Sequence, residues 1–287
     1  MYKLGVIGGS GIYDIDGLSS RREERVVTPY GDPSDAILCG TLRDTELLFL
    51  PRHGRGHRIA PHELNFRANI CALKMLGATH VISLSAVGSM KEEIVPGHFV
   101  AVDQFIDLSK RRVSTYFEEG MVGHVSLADP VCGQLAAALG DAAERSGATV
   151  HRGGTYVCME GPQFSTRAES QLYRSWGVSV IGMTAMPEAK LAREAELPYA
   201  TLALATDYDC WHESEDDVSV EAILAVLKGN ATLAKRTVVE LCTALPDPKS
   251  SIATGALKYA MLTDQSAISD ESRQRLSWLL QSERLMA

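Results

Sequence analysis

At 287 residues, with 45% hydrophobic and 22% charged side chains, the chain is long enough to bury a large core and has the composition of an ordinary globular protein. No run approaches the roughly 20 apolar residues of a membrane span. A formal net charge of -8 argues against the basic surface that non-specific nucleic-acid binding requires. The expected partners therefore include no membrane and no nucleic acid. The N-terminal stretch MYKLGVIGGSG shows no basic leader or cleavage site, and the six cysteines stand singly without CxxC or metal-ligand spacing. A cytoplasmic location and no metal are the expectations.

In chain order, apolar strand-like runs fall at 4–7, 47–50, 81–84, 99–102, 155–158, 178–181 and 199–205. Helical patterns lie between or after them at 63–76, 132–145, 167–176, 187–195 and 218–245, with Gly77 and Gly147 as C-terminal stops. The alternation predicts an α/β fold. No linker divides residues 1–245. The tail, 246–287, follows Pro246-Asp247-Pro248 and reads as a C-terminal helical segment docked on the same domain or on a neighbouring subunit.

Several strand ends carry chemistry. The first strand enters Gly8-Gly9-Ser10-Gly11, whose amides can cup an anion while Ser10 adds a hydroxyl; a dinucleotide turn and a purely structural turn are the alternatives. Arg52 and His53 follow the second strand, where open α/β sheets place ligand groups, and offer a fork and a further donor for phosphate. A solvated basic loop is the plainer alternative, and His53 with His57 lacks the helix and acid of a zinc motif. The strand at 81–84 ends in Ser85-Ala86-Val87-Gly88-Ser89, a third place where an oxyanion can meet amides and a hydroxyl. Thr166 and Glu169 form a capping box, and Phe164 in the loop before them can stack on a planar base. Asp207 and Asp209 lie two apart after an apolar strand. An extended backbone points both carboxylates to one side, where mutual repulsion raises one pKa for acid/base work; a cap or turn is the alternative.

Taken together, GGSG at 8–11, TPYGDPSDA at 28–36, RHGRGH at 52–57, SAVGS at 85–89, DQFID at 103–107, EGPQFSTRAES at 160–170, MTAMPE at 183–188 and ATDYDCW at 205–211 resemble the trimeric purine nucleoside phosphorylases, specifically their methylthioadenosine branch, over roughly 1–245. The resemblance implies a single-domain nucleoside phosphorylase fold, a twisted mixed β-sheet flanked by α-helices. It implies a homotrimer, alone or as a dimer of trimers. No cofactor is expected, since inorganic phosphate is the co-substrate and 5'-methylthioadenosine the nucleoside.

By the same resemblance, phosphate meets Ser10, Arg52, His53, Ser85, Ala86 and Thr184. Met183 lies under the ribose, Phe164 and Ser165 against the base, and Asp207 and Asp209 face the imidazole edge and exocyclic amine as the catalytic pair. His124 resembles a residue lent by a neighbouring subunit. Relatives for 6-oxopurines carry Glu at Ser165 and Asn at Asp207. Hydroxyl and carboxylate instead match adenine's N1 acceptor and N6 donor. Val220 and Ile223, within the apolar group Val218, Val220, Ile223 and Leu224, stand where relatives preferring a 5'-hydroxyl place histidine. Phosphorolysis of adenosine or methylthioinosine, a non-catalytic nucleoside-binding protein and a hydrolytic nucleosidase are the competing functions.

Overall fold

The computed structural model describes residues 1–9, 12, 15–212 and 220–280. Eleven strands form one mixed sheet among these residues. In chain order they are β1 (Tyr2–Gly8), β2 (Ser19–Glu24), β3 (Ile37–Leu42), β4 (Thr45–Pro51), β5 (His80–Ser89), β6 (Phe99–Ala101), β7 (Gln104–Asp107), β8 (Val150–Arg152), β9 (Thr155–Cys158), β10 (Val180–Gly182) and β11 (Tyr199–Asp207). The helices are α1 (Phe66–Met75), α2 (Gly133–Arg145), α3 (Arg167–Ser175), α4 (Glu188–Glu194), α5 (Val220–Leu241) and α6 (Asp270–Arg275).

Two-residue alternation along the strands feeds two cores. In β1, Leu4 and Val6 face one side with Leu135 and Leu139 of α2 and Ala234 and Val238 of α5. Ile7 faces the other with Ile70 and Leu73 of α1 and Leu191 of α4. A smaller cluster joins Tyr173 of α3 to Ile181 and Met90. β4 and β11 are buried along nearly their whole length, as strands covered on both faces must be.

The helix ends follow local chemistry. α1 begins at Phe66, later than expected, because Pro61–Glu63 forms a 3-10 turn and the Asn65 side chain caps the helix by accepting from Ala68 N. Thr166 caps α3 in the expected box with Glu169. Gly77 and Gly147 take positive φ of 83° and 93°.

Residues 246–280 pack on the same core. Leu257, Ala260, Ile268, Leu276, Leu279 and Leu280 join the cluster beneath α1 and α4. Trp278 meets Tyr30 and Tyr116 edge-on. Of the large apolar residues in this tail, Ile252, Tyr259 and Leu262 remain exposed. The tail also ties down the preceding loop: Leu262 N donates to Val122 O, His124 N donates to Ala260 O, and Ser272 Oγ donates to Glu119 O.

Candidate active site

The site begins where two strands part. β1 accompanies β5 as far as the pair Ile7–Ser83, and β10 takes up the same edge only at Ile181–Gly88. β11 covers the opposite edge throughout. The β5 edge at 84–87 is therefore left without a strand on one side. Because β10 runs antiparallel to β5, the chain after Gly182 continues back along this opening. Thr184 arrives opposite Ser85, with Oγ1 2.8 Å from Ser85 Oγ. Ala86, in an otherwise buried strand, is exposed at the gap.

Arg52, immediately after β4, fills the floor of the opening. Its Nη1 donates to Leu84 O at 3.2 Å and to Ser85 Oγ at 3.4 Å. Nη2 donates to Ser83 Oγ and Ile7 O, and Nε meets the Glu188 carboxylate at 3.2 Å. Glu188, at the start of α4, also accepts from Tyr199 Oη at 2.8 Å. Arg52 and Glu188 are 2% and 1% exposed. The open fork expected from the sequence is thus committed to protein acceptors. A guanidinium this deeply buried needs a counter-charge and a partner for each donor. Burial works against its charge, but the Glu188 carboxylate prevails and raises its pKa.

His53 differs from expectation in protonation. Its Nδ1 lies 2.9 Å from Ile59 O, and a carbonyl only accepts, so Nδ1 carries hydrogen and the neutral ring offers Nε2 as an acceptor. Burial, aided by the Arg52 charge, lowers its pKa to about 4. At neutral pH it is not the extra donor anticipated for phosphate. Gly8 O accepts from Arg52 N at 3.0 Å, joining the glycine turn to this floor; Ser10 lies outside the described residues.

Just beyond the opening, the C-terminal ends of β5 and β11 hold the carboxylates. β11 shifts register against β5 between Ala205 and Asp207, and the strand stops there. Asp209 sits in a turn with φ 54°, so a turn and not extended backbone brings the pair together. Asp209 N donates to Asp207 Oδ1 at 2.8 Å, and Thr206 Oγ1 donates to Asp207 Oδ2 at 2.7 Å. Gly88 lies against both: a Cβ there stands 3.0 Å from Asp207 Oδ1 and 3.4 Å from Asp209 Cβ. Burial raises the Asp207 pKa against the pull of Thr206 and the Asp209 amide. Burial also raises that of Asp209, with the Asp207 charge adding and Ser170 and Ser165 opposing. Ser165 is thereby placed beside Asp209, and Cys210 Sγ contacts Ser165 O at 3.4 Å.

Phe164 is 45% exposed at the loop leading to α3, an apolar ring held out of the core. Arg112 organises the loop's start. Its Nη1 donates to Met183 O and Met186 O at 2.7 and 2.6 Å, and its Nη2 donates to Glu160 O at 2.7 Å. No periodicity or motif marks this residue within Lys110-Arg111-Arg112. Glu188, its acid counterpart beside Arg52, lies in a quoted motif without a role attached to it. His124 is exposed on the surface. Val220 and Ile223 lie on the first turns of α5, and their side chains, with Val218, fall outside the described residues. Among the described residues no three His, Cys, Asp or Glu are grouped to hold a metal, and no helix is long and apolar enough to cross a membrane.

A mixed sheet whose central strand opens over a buried cation, with paired carboxylates just beyond the opening at the strand's end, is the architecture of the nucleoside-cleaving phosphorylases. The family model of the phosphorylase superfamily matches residues 3–243, and the chain belongs to that family. It is 57% identical over 280 residues to the S-methyl-5'-thioadenosine phosphorylase of Geobacter sulfurreducens, covering 97% of this chain and 98% of the relative. A second relative of that name, from Thermosynechococcus vestitus, is 50% identical over 282 residues, covering 97% and 98%. Among solved structures, a methylthioadenosine phosphorylase from an antarctic soil metagenomic library superposes with a TM-score of 0.92 at 47% identity, covering 97% of this chain and 99% of that one. Methylthioadenosine phosphorylase from Schistosoma mansoni in complex with adenine gives 0.84 at 34% identity, covering 90% and 98%.

Two consequences are measurable. Arg52→Ala leaves Glu188 buried without its counter-charge, so urea denaturation should show a loss of about 3–5 kcal/mol, the scale for breaking a buried pair. Any folded fraction should bind phosphate poorly. For His53, the unfolded ring takes up a proton below its ordinary pKa of 6.5, whereas the folded ring does so only near 4. Its contribution is therefore intact above 6.5 and is lost as pH falls from 6.5 towards 4. His53→Gln should flatten that part of the stability profile; an unchanged slope in thermal melts between pH 7 and 4.5 counts against a neutral, buried His53.

Proposed function

We propose that this protein cleaves the N-glycosidic bond of 5'-methylthioadenosine with inorganic phosphate, releasing adenine and 5-methylthioribose 1-phosphate. The observation that carries the proposal is the placement of Ser85 and Thr184 over a buried cation midway along β5 and of two carboxylates with raised pKa at that strand's C-terminal end. Phosphate at the first end meets the Ser85 and Thr184 hydroxyls, the exposed edge at Ala86 and the turn bearing Ser10. Arg52 acts there by its charge and through Ser85. Neutral His53 accepts from the O–H of hydrogen phosphate. Met183 underlies the ribose, and Phe164 and Ser165 flank the base.

Bond cleavage builds negative charge on the purine and oxocarbenium character on the ribose. Asp207, or the Asp207/Asp209 pair sharing one proton, protonates N7 and relieves the first charge. The phosphate anion faces the second and then attacks C1'. Phosphate is the only co-substrate, and no cofactor takes part. Ser165 and Asp207 suit an amino purine, which favours adenine over hypoxanthine. Val220 and Ile223 supply an apolar wall for the methylthio group.

We place the enzyme in the cytoplasm as a homotrimer in which His124 completes a neighbour's site. In support, His124 is flanked by exposed apolar side chains, Val122 at 48%, Tyr259 at 85% and Leu262 at 67%. Such a patch is costly on a monomer and fits an interface.

Product analysis with methylthioadenosine, with and without phosphate, tests the function. Adenine should appear only with phosphate, alongside the sugar 1-phosphate; release in phosphate-free buffer marks a nucleosidase. Asp207→Asn should lower kcat/KM by about 2–4 orders of magnitude, the range for a lost proton donor. Turnover within a few-fold of wild type removes Asp207 as the acid. Light scattering on the assayed sample should give a mass at or above a trimer, and Leu262→Asp with Tyr259→Asp should lower both mass and activity. A fully active monomer contradicts the shared site.

A further inference from the structure

Tyr156, in β9, is fully buried, yet its hydroxyl makes no hydrogen bond among the described residues. An orphaned hydroxyl in a packed core is costly, and its position accounts for its retention. The side chain reaches beneath Gly182, the last residue of β10. A Cβ at Gly182 stands 2.0 Å from the Tyr156 hydroxyl, so only glycine admits the phenol at this point. Gly182 opens directly into Met183 and Thr184. The hydroxyl therefore comes up under the opening in β5 from below, on the far side from solvent. Ser85 and the Thr184 amide are near enough to pull its pKa down, against a burial that pushes it up, so the phenol remains a proton donor.

We propose that Tyr156 is a positioning residue for phosphate, acting through Ser85. The proton count explains how. Ser85 Oγ accepts one hydrogen from Arg52 Nη1 at 3.4 Å. With phosphate bound, a second comes from the Tyr156 hydroxyl, which is unpaired in the absence of the anion, and fills its remaining lone pair. The single proton of Ser85 is then directed to Thr184 Oγ1, 2.8 Å away, and the proton of Thr184 is left pointing into the opening. The chain Tyr156 to Ser85 to Thr184 ends in one fixed donor aimed at a phosphate oxygen, and each link polarises the next. Without the phenol, the Ser85 and Thr184 protons exchange between arrangements, some of which turn a lone pair towards the anion. Tyr156 does not touch phosphate, in keeping with its burial.

This rests on the assignment of Ser85 and Thr184 to phosphate, and the experiment separates the two. The steady-state KM for phosphate and for methylthioadenosine, and the shift in melting temperature produced by inorganic phosphate alone, are measured for wild type, Tyr156→Phe, Ser85→Ala and the double variant. Tyr156→Phe should raise the phosphate KM roughly three- to tenfold, the effect of one neutral hydrogen bond, with the nucleoside KM unchanged. Its melting temperature without phosphate should match or exceed that of wild type, because an unpaired buried hydroxyl has been removed. The phosphate-induced shift should shrink. In the Ser85→Ala background the substitution should add nothing, as expected of residues acting in series. If Ser85→Ala raises the phosphate KM but Tyr156→Phe leaves it unmoved, the phenol only fills space and the proposal is wrong. Full additivity in the double variant removes the path through Ser85. Should Ser85→Ala itself leave the phosphate KM unchanged, the cradle is misplaced and this proposal falls with it.

Discussion

The guanidinium of Arg52 holds open the place where the sheet divides. Two strands that leave the same edge of β5 in different directions strand carbonyls that no neighbouring backbone can satisfy, and each buried orphan costs about 1–3 kcal/mol. Arg52 takes Leu84 O from β5 and Ile7 O from β1, with Glu188 balancing its charge. The same side chain thus closes the hydrogen-bond ledger of the fork and leaves a positive floor under Ser85 and Thr184. Removing it would disturb the fold and that floor together.

From that floor the chemistry spreads along two rigid strands. β5 and β11 run side by side from 81 to 88 and 199 to 207, carrying the hydroxyl pair at one stage and the carboxylates at the next. The spacing between cation and acids is set by strand rise, not by loops. The bulge before Asp207 and the left-handed turn at Asp209 then bring the two aspartates together over Gly88, the Asp209 amide donating to the Asp207 carboxylate. Their burial is what raises their proton affinity. Separation of a fixed positive end from a proton-holding end matches a reaction that develops charge of opposite sign on sugar and base.

Arg112 links this frame to the rest of the surface. It ties the carbonyls of Glu160, Met183 and Met186, so the loop that leads to α3 and the segment after β10 share one buried cation. A few residues on, Glu194 of α4 accepts from Tyr116 N and Thr115 Oγ1, and burial raises its pKa to about 7. The C-terminal tail grips the loop from its other side, through Glu119, Val122 and His124. The segment that presents His124 is therefore fastened at one end to its own site and at the other to the tail.

Much of this was legible in the residues. All seven expected strands and all five helices form, because apolar runs and their periodicity report burial directly. Four strands escaped notice: β3 and β7 carry apolar residues in runs that a glycine breaks or that are only four residues long, and β2 and β8 lack an apolar pattern. β2 is Ser-Ser-Arg-Arg-Glu-Glu and exists by hydrogen bonding to β3, while β8 is three residues long. Strand-end motifs pointed to Arg52, Ser85, Asp207 and Asp209, since ligand groups gather at the ends of strands in such sheets. The amino-acid sequence by itself determined the fold class and the family. Only the tertiary structure decided how those residues act: that the Arg52 donors turn inward, that His53 is neutral, that a turn joins the two aspartates, and that Glu188, Arg112 and Tyr156 belong beside them. Those facts depend on which buried polar atoms find partners across more than a hundred residues of chain, and spacing along a sequence carries no record of that.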